Sequence, residues 1–202
     1  MIKNVVFDNG GVIVKYSAET YFDYYNFPKN KQKTLDQLFT SEEWVVFAKG
    51  QMTSDDFKEY AVKRFPEYKE DVLKILDVDA LHYLIPPYQE TLNFIYQLKD
   101  AGYKIFLLSD INEDTITYMK KEIPGFEDLF NGIVYSCRVG MVKKDGLVFK
   151  KLLDDFNLNP EETLFLDDSI RNLEQAQNYK INTYRFLDPA KDISKVKSML
   201  RK

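Results

Sequence analysis

Five short, nearly continuous apolar segments recur along the chain, and they leave few folds open to it. They occupy residues 3–8 (KNVVFD), 104–109 (KIFLLS), 132–136 (GIVYS), 163–167 (TLFLD) and 181–186 (INTYRF). A strand with one wet face alternates apolar and polar residues. Unbroken runs rich in β-branched and aromatic side chains belong instead to strands buried on both faces, as in a parallel sheet. Helix-period text stands between them. Residues 87–102 set Leu92, Ile95, Tyr96 and Leu98 at helical spacing and end in a glycine suited to a left-handed C-cap. Residues 145–158 repeat the pattern with Val148, Leu152 and Phe156, and Asn159-Pro160 then offers an N-cap followed by proline at a first helical position. Strand and helix in alternation predict an α/β fold, a doubly wound parallel sheet with strands in spatial order 3-2-1-4-5.

The exception comes early. Residues 16–82 contain no such strand, only helix-like text with stops at Pro28, Gly50 and Pro66 and a start signal at Thr53-Ser54-Asp55-Asp56. The segment is too long for an ordinary loop. It reads as an all-helical insertion of about four short helices, a cap over the end of the first strand, which leaves 1–15 and 83–202 as the core domain. It holds 13 of the 30 aromatic residues. Those rings have two uses, lining a substrate pocket or giving short helices a small core of their own, and the second is the ordinary one.

Composition removes several classes of function. With 28 basic against 32 acidic residues the net charge is −4 and no basic block stands out, which argues against nucleic acid as a partner. No stretch approaches 18 uncharged apolar residues, and Asp8 interrupts the first apolar run, so the expectation is a soluble, cytoplasmic protein with no membrane span, a monomer or weak dimer. The single Cys137 cannot make an internal bridge. His82 is the only histidine, which excludes His-rich zinc sites and obliges any Ser/His/Asp triad to use that one residue.

The strand ends carry the chemistry. In open α/β sheets ligands bind outside the carboxyl ends of the strands. The first strand ends at Asp8, followed by Asn9-Gly10-Gly11; the second at Ser109-Asp110, with Asn112 just beyond; the fourth at Asp167-Asp168, with Asn172 one helical turn on. After the third comes Gly140-Met141-Val142-Lys143-Lys144-Asp145. Each alone is compatible with a turn or a helix cap. Together, Asp8, Ser109, Lys143 and Asp168 on one rim suit a phosphorylated ligand. Asp8 and Asp168 can hold Mg2+, a hard ion that takes oxygen ligands at about 2.1 Å. Ser109 and Lys143 can donate to phosphoryl oxygens, beside backbone N–H groups of the glycine-rich loop.

In these four stretches the chain resembles the haloacid dehalogenase superfamily of hydrolases nearly end to end. The motifs appear in order as Phe7-Asp8-Asn9-Gly10-Gly11-Val12, Leu108-Ser109-Asp110, Lys143 within GMVKKD, and Asp167-Asp168-Ser169-Ile170-Arg171-Asn172. The insertion is similar to that superfamily's smaller helical cap on a Rossmann-like core. The phrase Phe47-Ala48-Lys49-Gly50-Gln51-Met52-Thr53, with the third and fourth motifs, is most similar to the branch of α-D-glucose-1-phosphate phosphatase and the amino-terminal domain of bifunctional epoxide hydrolase. The resemblance implies a Mg2+-dependent phosphomonoesterase acting on a small metabolite such as a sugar phosphate. Asp8 would be the nucleophile and Lys143 its catalytic partner. Ser109, Asp110, Asn112 and Lys143 would bind substrate; Asp8, the Gly10 carbonyl and Asp168 would hold the metal, with Asp167 and Asn172 in support. Two departures stand out. Gly10 occupies the place of a second aspartate that serves as acid and base, which opens the alternative of a weak or inactive phosphate-binding or regulatory protein. The lysine-proline pair of the third motif is Lys143-Lys144, and register favours Lys143 as the inward one. A metal-free dehalogenase is a third reading, at odds with Asp167-Asp168.

Overall fold

The computed structural model describes residues 1–16, 18–81 and 85–200; His82 lies outside them. Five parallel strands, β1 (Asn4–Phe7), β2 (Lys104–Ser109), β3 (Gly132–Tyr135), β4 (Thr163–Asp167) and β5 (Asn182–Arg185), form one sheet in the order β3-β2-β1-β4-β5. This is the expected order, and all five apolar segments supply strands. Helices α1 (Ala18–Tyr24), α2 (Lys29–Phe39), α3 (Glu42–Ala48), α4 (Ser54–Arg64) and α5 (Lys69–Ile75) follow β1. The other α-helices among the described residues are α6 (Gln89–Asp100), α7 (Glu113–Glu122), α8 (Ser136–Val139), α9 (Leu147–Asp155), α10 (Ile170–Gln177) and α11 (Pro189–Leu200).

The period-2 pleat sorts the strand residues onto two faces. Val5, Phe7, Ile105, Leu107, Leu164 and Leu166 pack with α6, α7 and α11, whereas Val6, Phe106, Leu108, Val134 and Phe165 pack with α9 and α10. Every residue of β1 is buried, which is why that strand carries no polar residue between Asn4 and Asp8.

Helix ends follow local chemistry. Thr53 Oγ1 accepts from Asp56 N at 3.1 Å while Asp56 Oδ2 accepts from Thr53 N at 3.4 Å, so the start signal read in the sequence is a reciprocal cap on α4. Gly102, at φ +86°, follows α6 as expected. The Asn159-Pro160 signal differs: Asn159 does cap, accepting from Glu161 N at 3.1 Å, but only a single 3-10 turn, Pro160–Glu162, follows. The chain must enter β4 at Thr163, and a cap signature says where a helix begins, not how long it runs.

Between β1 and α6 the described residues include five α-helices where four were expected. The two ends of this segment are tied together, with Lys15 N donating to Pro86 O at 2.9 Å and Tyr88 N to Ile13 O at 2.8 Å. Its apolar residues, Leu35, Leu38, Phe47, Phe57 and Val72 among them, join the core on one face of the sheet and do not form a separate one. Among the described residues no helix is long and apolar enough to cross a membrane.

Candidate active site

Strands β1, β2 and β4 run in register, with Phe7 opposite both Leu107 and Leu166, so the residues after them emerge side by side. Asp8 N continues the ladder, donating to Leu166 O at 2.9 Å, and this brings Asp8 next to Asp167. Lys143 Nζ lies between them, 2.7 Å from Asp8 Oδ2 and 2.7 Å from Asp167 Oδ2. All three side chains are buried. Asp167 also accepts from Ser169 N at 2.8 Å and from Asn172 Nδ2 at 3.1 Å, which fixes its carboxylate against the cation. Asp168 adds a third carboxylate: oxygens of Asp8, Asp167 and Asp168 all lie within 4.8 Å of one another.

Burial alone would lower the Lys143 pKa, but the charges of Asp8, Asp167 and Asp110 outweigh it and hold the ammonium in its charged form. Burial pushes the Asp8 carboxyl well above its usual range; Lys143 pulls it down, and Asp167 and Asp168 push it up again. Asp168 is raised by burial and then by Asp167. When all three are ionised, the clustered carboxylates outnumber the one ammonium by two charges. An all-oxygen donor set with that excess fits a hard divalent cation. Gly10 lines the same cavity, and its carbonyl is taken by no backbone N–H among the described residues.

Lys143 begins a 3-10 turn, Lys143–Asp145, and its position is set from behind. Both carboxylate oxygens of Asp110 accept from Lys143 N, at 3.0 and 3.2 Å. Lys144, the other half of the Lys-Lys pair, is exposed. Ser109 closes β2, 2% exposed, on the floor of the cavity. Asn112 also lines the cavity, yet its Oδ1 accepts from Thr115 N at 2.9 Å and so caps α7. The acceptor atoms of Asp110 and Asn112 are thus engaged by the protein itself.

The two glycines after Asp8 differ. A Cβ at Gly11, whose φ is +74°, would come within 2.6 Å of an Asp168 carboxylate oxygen, whereas a Cβ at Gly10 would make ordinary contact with the Tyr16 ring at 3.4–3.5 Å. Gly11→Ala is therefore expected to cost about 1–2 kcal/mol from backbone strain alone, with a fall of several degrees in melting temperature, and to displace Asp168. Gly10→Ala should melt close to the parent; parallel melting curves check both.

Above the floor lies a cavity of about 350 Å3, walled by Phe39, Trp44, Phe47 and Phe57 from the helical segment. The aromatic residues line the cavity and pack on one another, but within the core shared with the sheet and not in a small core of their own. Phe47 and Phe57 stack at 4.8 Å and Trp44 meets Phe57 edge-on at 5.4 Å, and the same rings face the cavity. Sequence reasoning missed the contacts that fasten this wall to the floor. Ser136 Oγ donates to Ala48 O at 2.6 Å and accepts from Ile111 N at 2.8 Å, and Lys49 pairs with Asp145 at 2.6 Å. The only signal was the FAKGQMT phrase itself, whose Ala48 and Lys49 make them.

The family model described as haloacid dehalogenase-like hydrolase matches residues 2–179. The chain is similar to D-ribitol-5-phosphate phosphatase of Bacteroides thetaiotaomicron, 24% identical with 92% of each chain covered. It is similar to sesquiterpene phosphatase astK of Aspergillus oryzae, 24% identical over 87% of this chain and 85% of that one. It also matches longer proteins, spanning 34% of drimenol cyclase drtB of Aspergillus calidoustus and 19% of acyl-CoA dehydrogenase family member 10 of Mus musculus. Among solved structures, a wild-type HAD family enzyme of Bacteroides thetaiotaomicron in complex with magnesium and inorganic phosphate superposes with a TM-score of 0.72 at 24% identity, covering 91% of this chain and 93% of that one.

Proposed function

The chain belongs to the haloacid dehalogenase-like hydrolases, and from that membership we propose that it is a Mg2+-dependent phosphomonoesterase working through an aspartyl-phosphate on Asp8. One observation carries the reading: a buried ammonium, Lys143, sits 2.7 Å from a carboxylate at the end of the central strand, within a cluster of three carboxylates. Burial raises the Asp8 carboxyl, and the fixed cation opposes that push toward the ionised, nucleophilic form.

In this reading an Asp8 oxygen attacks phosphorus, the P–O bond to the alcohol breaks, and the alcohol leaves with the electron pair and takes up a proton. Water then attacks phosphorus of the aspartyl-phosphate, releasing inorganic phosphate and free Asp8. The Ser109 hydroxyl and Lys143 ammonium bind the phosphoryl oxygens, and Asp110 holds Lys143 in place through its backbone N–H. Asp8, Asp168 and the Gly10 carbonyl would hold Mg2+, with Asp167 and Asn172 in support, and the ion when bound neutralises charge on the transferring group. Residues 16–82 form the cap and 1–15 with 83–202 the catalytic core. The named activities of the two phosphatase relatives share the phosphate and not the alcohol, so they support the reaction class more than any one substrate. The lone Cys137 fits a cytoplasmic setting.

Gly10 favours a second reading, a phosphate-binding protein of little turnover, since general acid–base help is worth about 10²–10⁴ in rate. A panel of phosphate esters and acyl phosphates, run with Mg2+ and with EDTA, separates the two. The expected result is phosphate release that EDTA abolishes. Phosphate binding with no release across the panel would favour the second reading, and halide release from haloacids that persists in EDTA would favour a dehalogenase.

A further inference from the structure

Resting on the phosphatase reading, we infer that the ester cleaved here is that of an apolar alcohol or phenol, whose hydrocarbon body packs against the wall of Phe39, Trp44, Phe47 and Phe57. The cavity that opens on Asp8, Ser109 and Lys143 has a volume of about 350 Å3, at the small end of ligand sites, so a phosphate on the floor leaves room for one modest organic group. That group meets rings. Phe39 and Trp44 pack edge-on at 5.0 Å, Trp44 meets Phe47 at 5.9 Å, and Leu76 and Leu81 extend the surface.

A sugar or polyol would need hydrogen-bond partners here, and several of the polar atoms around this wall are already engaged, although Asn9 Oδ1 on the floor is buried without one among the described residues. Asn112 Oδ1 is engaged by Thr115 N and also accepts from Thr115 Oγ1 at 3.0 Å. Asp77 Oδ1 accepts from Asp79 N at 3.0 Å, and Ser54 Oγ is hydrogen-bonded to Asp114. A hydroxyl pressed against the rings without a partner costs about tenfold or more in affinity. A methylene in the same place gains about fourfold, the equivalent of about 0.8 kcal/mol. Gly10 points the same way for a phenol, whose oxygen leaves without needing a strong acid. Lys58 also lines the cavity and suits a charged tail.

The test is a series of 4-alkylphenyl phosphates from methyl to hexyl, assayed with Mg2+ beside acetyl phosphate, glucose 6-phosphate and 4-carboxyphenyl phosphate. Leaving-group acidity is nearly constant along the alkyl series, so its slope reports burial of the alkyl chain. The expected result is a kcat/KM that rises about threefold to fourfold per methylene until the cavity fills and then levels, with glucose 6-phosphate far below. Phe39→Ala and Leu76→Ala, each checked for fold by its melting curve, should flatten the rise. A flat series beside brisk acetyl phosphate hydrolysis would overturn the apolar assignment and leave the phosphatase reading standing. Preference for the carboxylate-tailed ester, lost in Lys58→Met, would likewise overturn it in favour of a charged tail. No phosphate from any compound, acetyl phosphate included, would remove both.

Discussion

Asp8→Asn should lower phosphate release by roughly 10⁴-fold or more, as removal of a covalent nucleophile does, while the protein still folds. The amide keeps the shape of the carboxylate but offers no nucleophilic charge. The fold survives because Lys143 keeps its second partner, Asp167, at 2.7 Å, and because burial of the Asp8 charge is itself unfavourable. Steady-state phosphate release measured beside a thermal melt checks both halves. Turnover within tenfold of the parent would mean that another group attacks phosphorus.

Lys143→Met should damage both activity and stability. Methionine fills similar space, but Asp8 and Asp167 lose an ammonium that lies 2.7 Å from each. Removing one member of a buried ion pair costs about 3–5 kcal/mol. At about 2–4 °C per kcal/mol for a chain of this size, the melting temperature should fall by on the order of 10 °C, and turnover by about 10³-fold or more. Mg2+ should then raise the melting temperature of the variant more than that of the parent, because a cation on the carboxylates offsets the lost charge in the folded state only. The exposed Lys144 is the control: Lys144→Met should change neither property. The reverse pattern, with Lys144→Met inactive and Lys143→Met intact, would misplace the cation.

The sheet was legible because burial on both faces is written locally in its central strands: Asn4–Phe7 and Thr163–Asp167 are buried throughout, whereas the edge strand Asn182–Arg185 is partly exposed. The rim was legible for a related reason. In a doubly wound sheet strand ends converge, so Asp8, Ser109, Lys143 and Asp168 could be grouped before any distance was known. What local text cannot carry is which atom of a side chain is already spent. Asp110 and Asn112 stood beside Ser109 as substrate contacts, and only the fold shows that Asp110 also accepts from the Lys143 backbone, 33 residues away, and that Asn112 caps its own helix. The attachment of Ala48 to Ser136 spans 88 residues and has no pattern to announce it. Tyr16 against Gly10 is similar: the sequence reports a missing side chain, and only the fold shows the ring lying over the gap. The aromatic wall was half legible, since its rings were counted but their second use depends on which edge faces the floor.

The most direct test of the account is chemical trapping of the phosphorylated enzyme in the first turnover. Gly10 offers no carboxylate to activate the water that attacks the intermediate, so the second half of the reaction should be the slower one and the aspartyl-phosphate should accumulate as a burst. Rapid quenching of enzyme, Mg2+ and an aryl phosphate, followed by borohydride reduction and peptide mass mapping, converts an aspartyl-phosphate into homoserine. Homoserine is expected at position 8, present with substrate and absent when EDTA is added first. Turnover with unmodified Asp8, or with the mark on another residue, would contradict it.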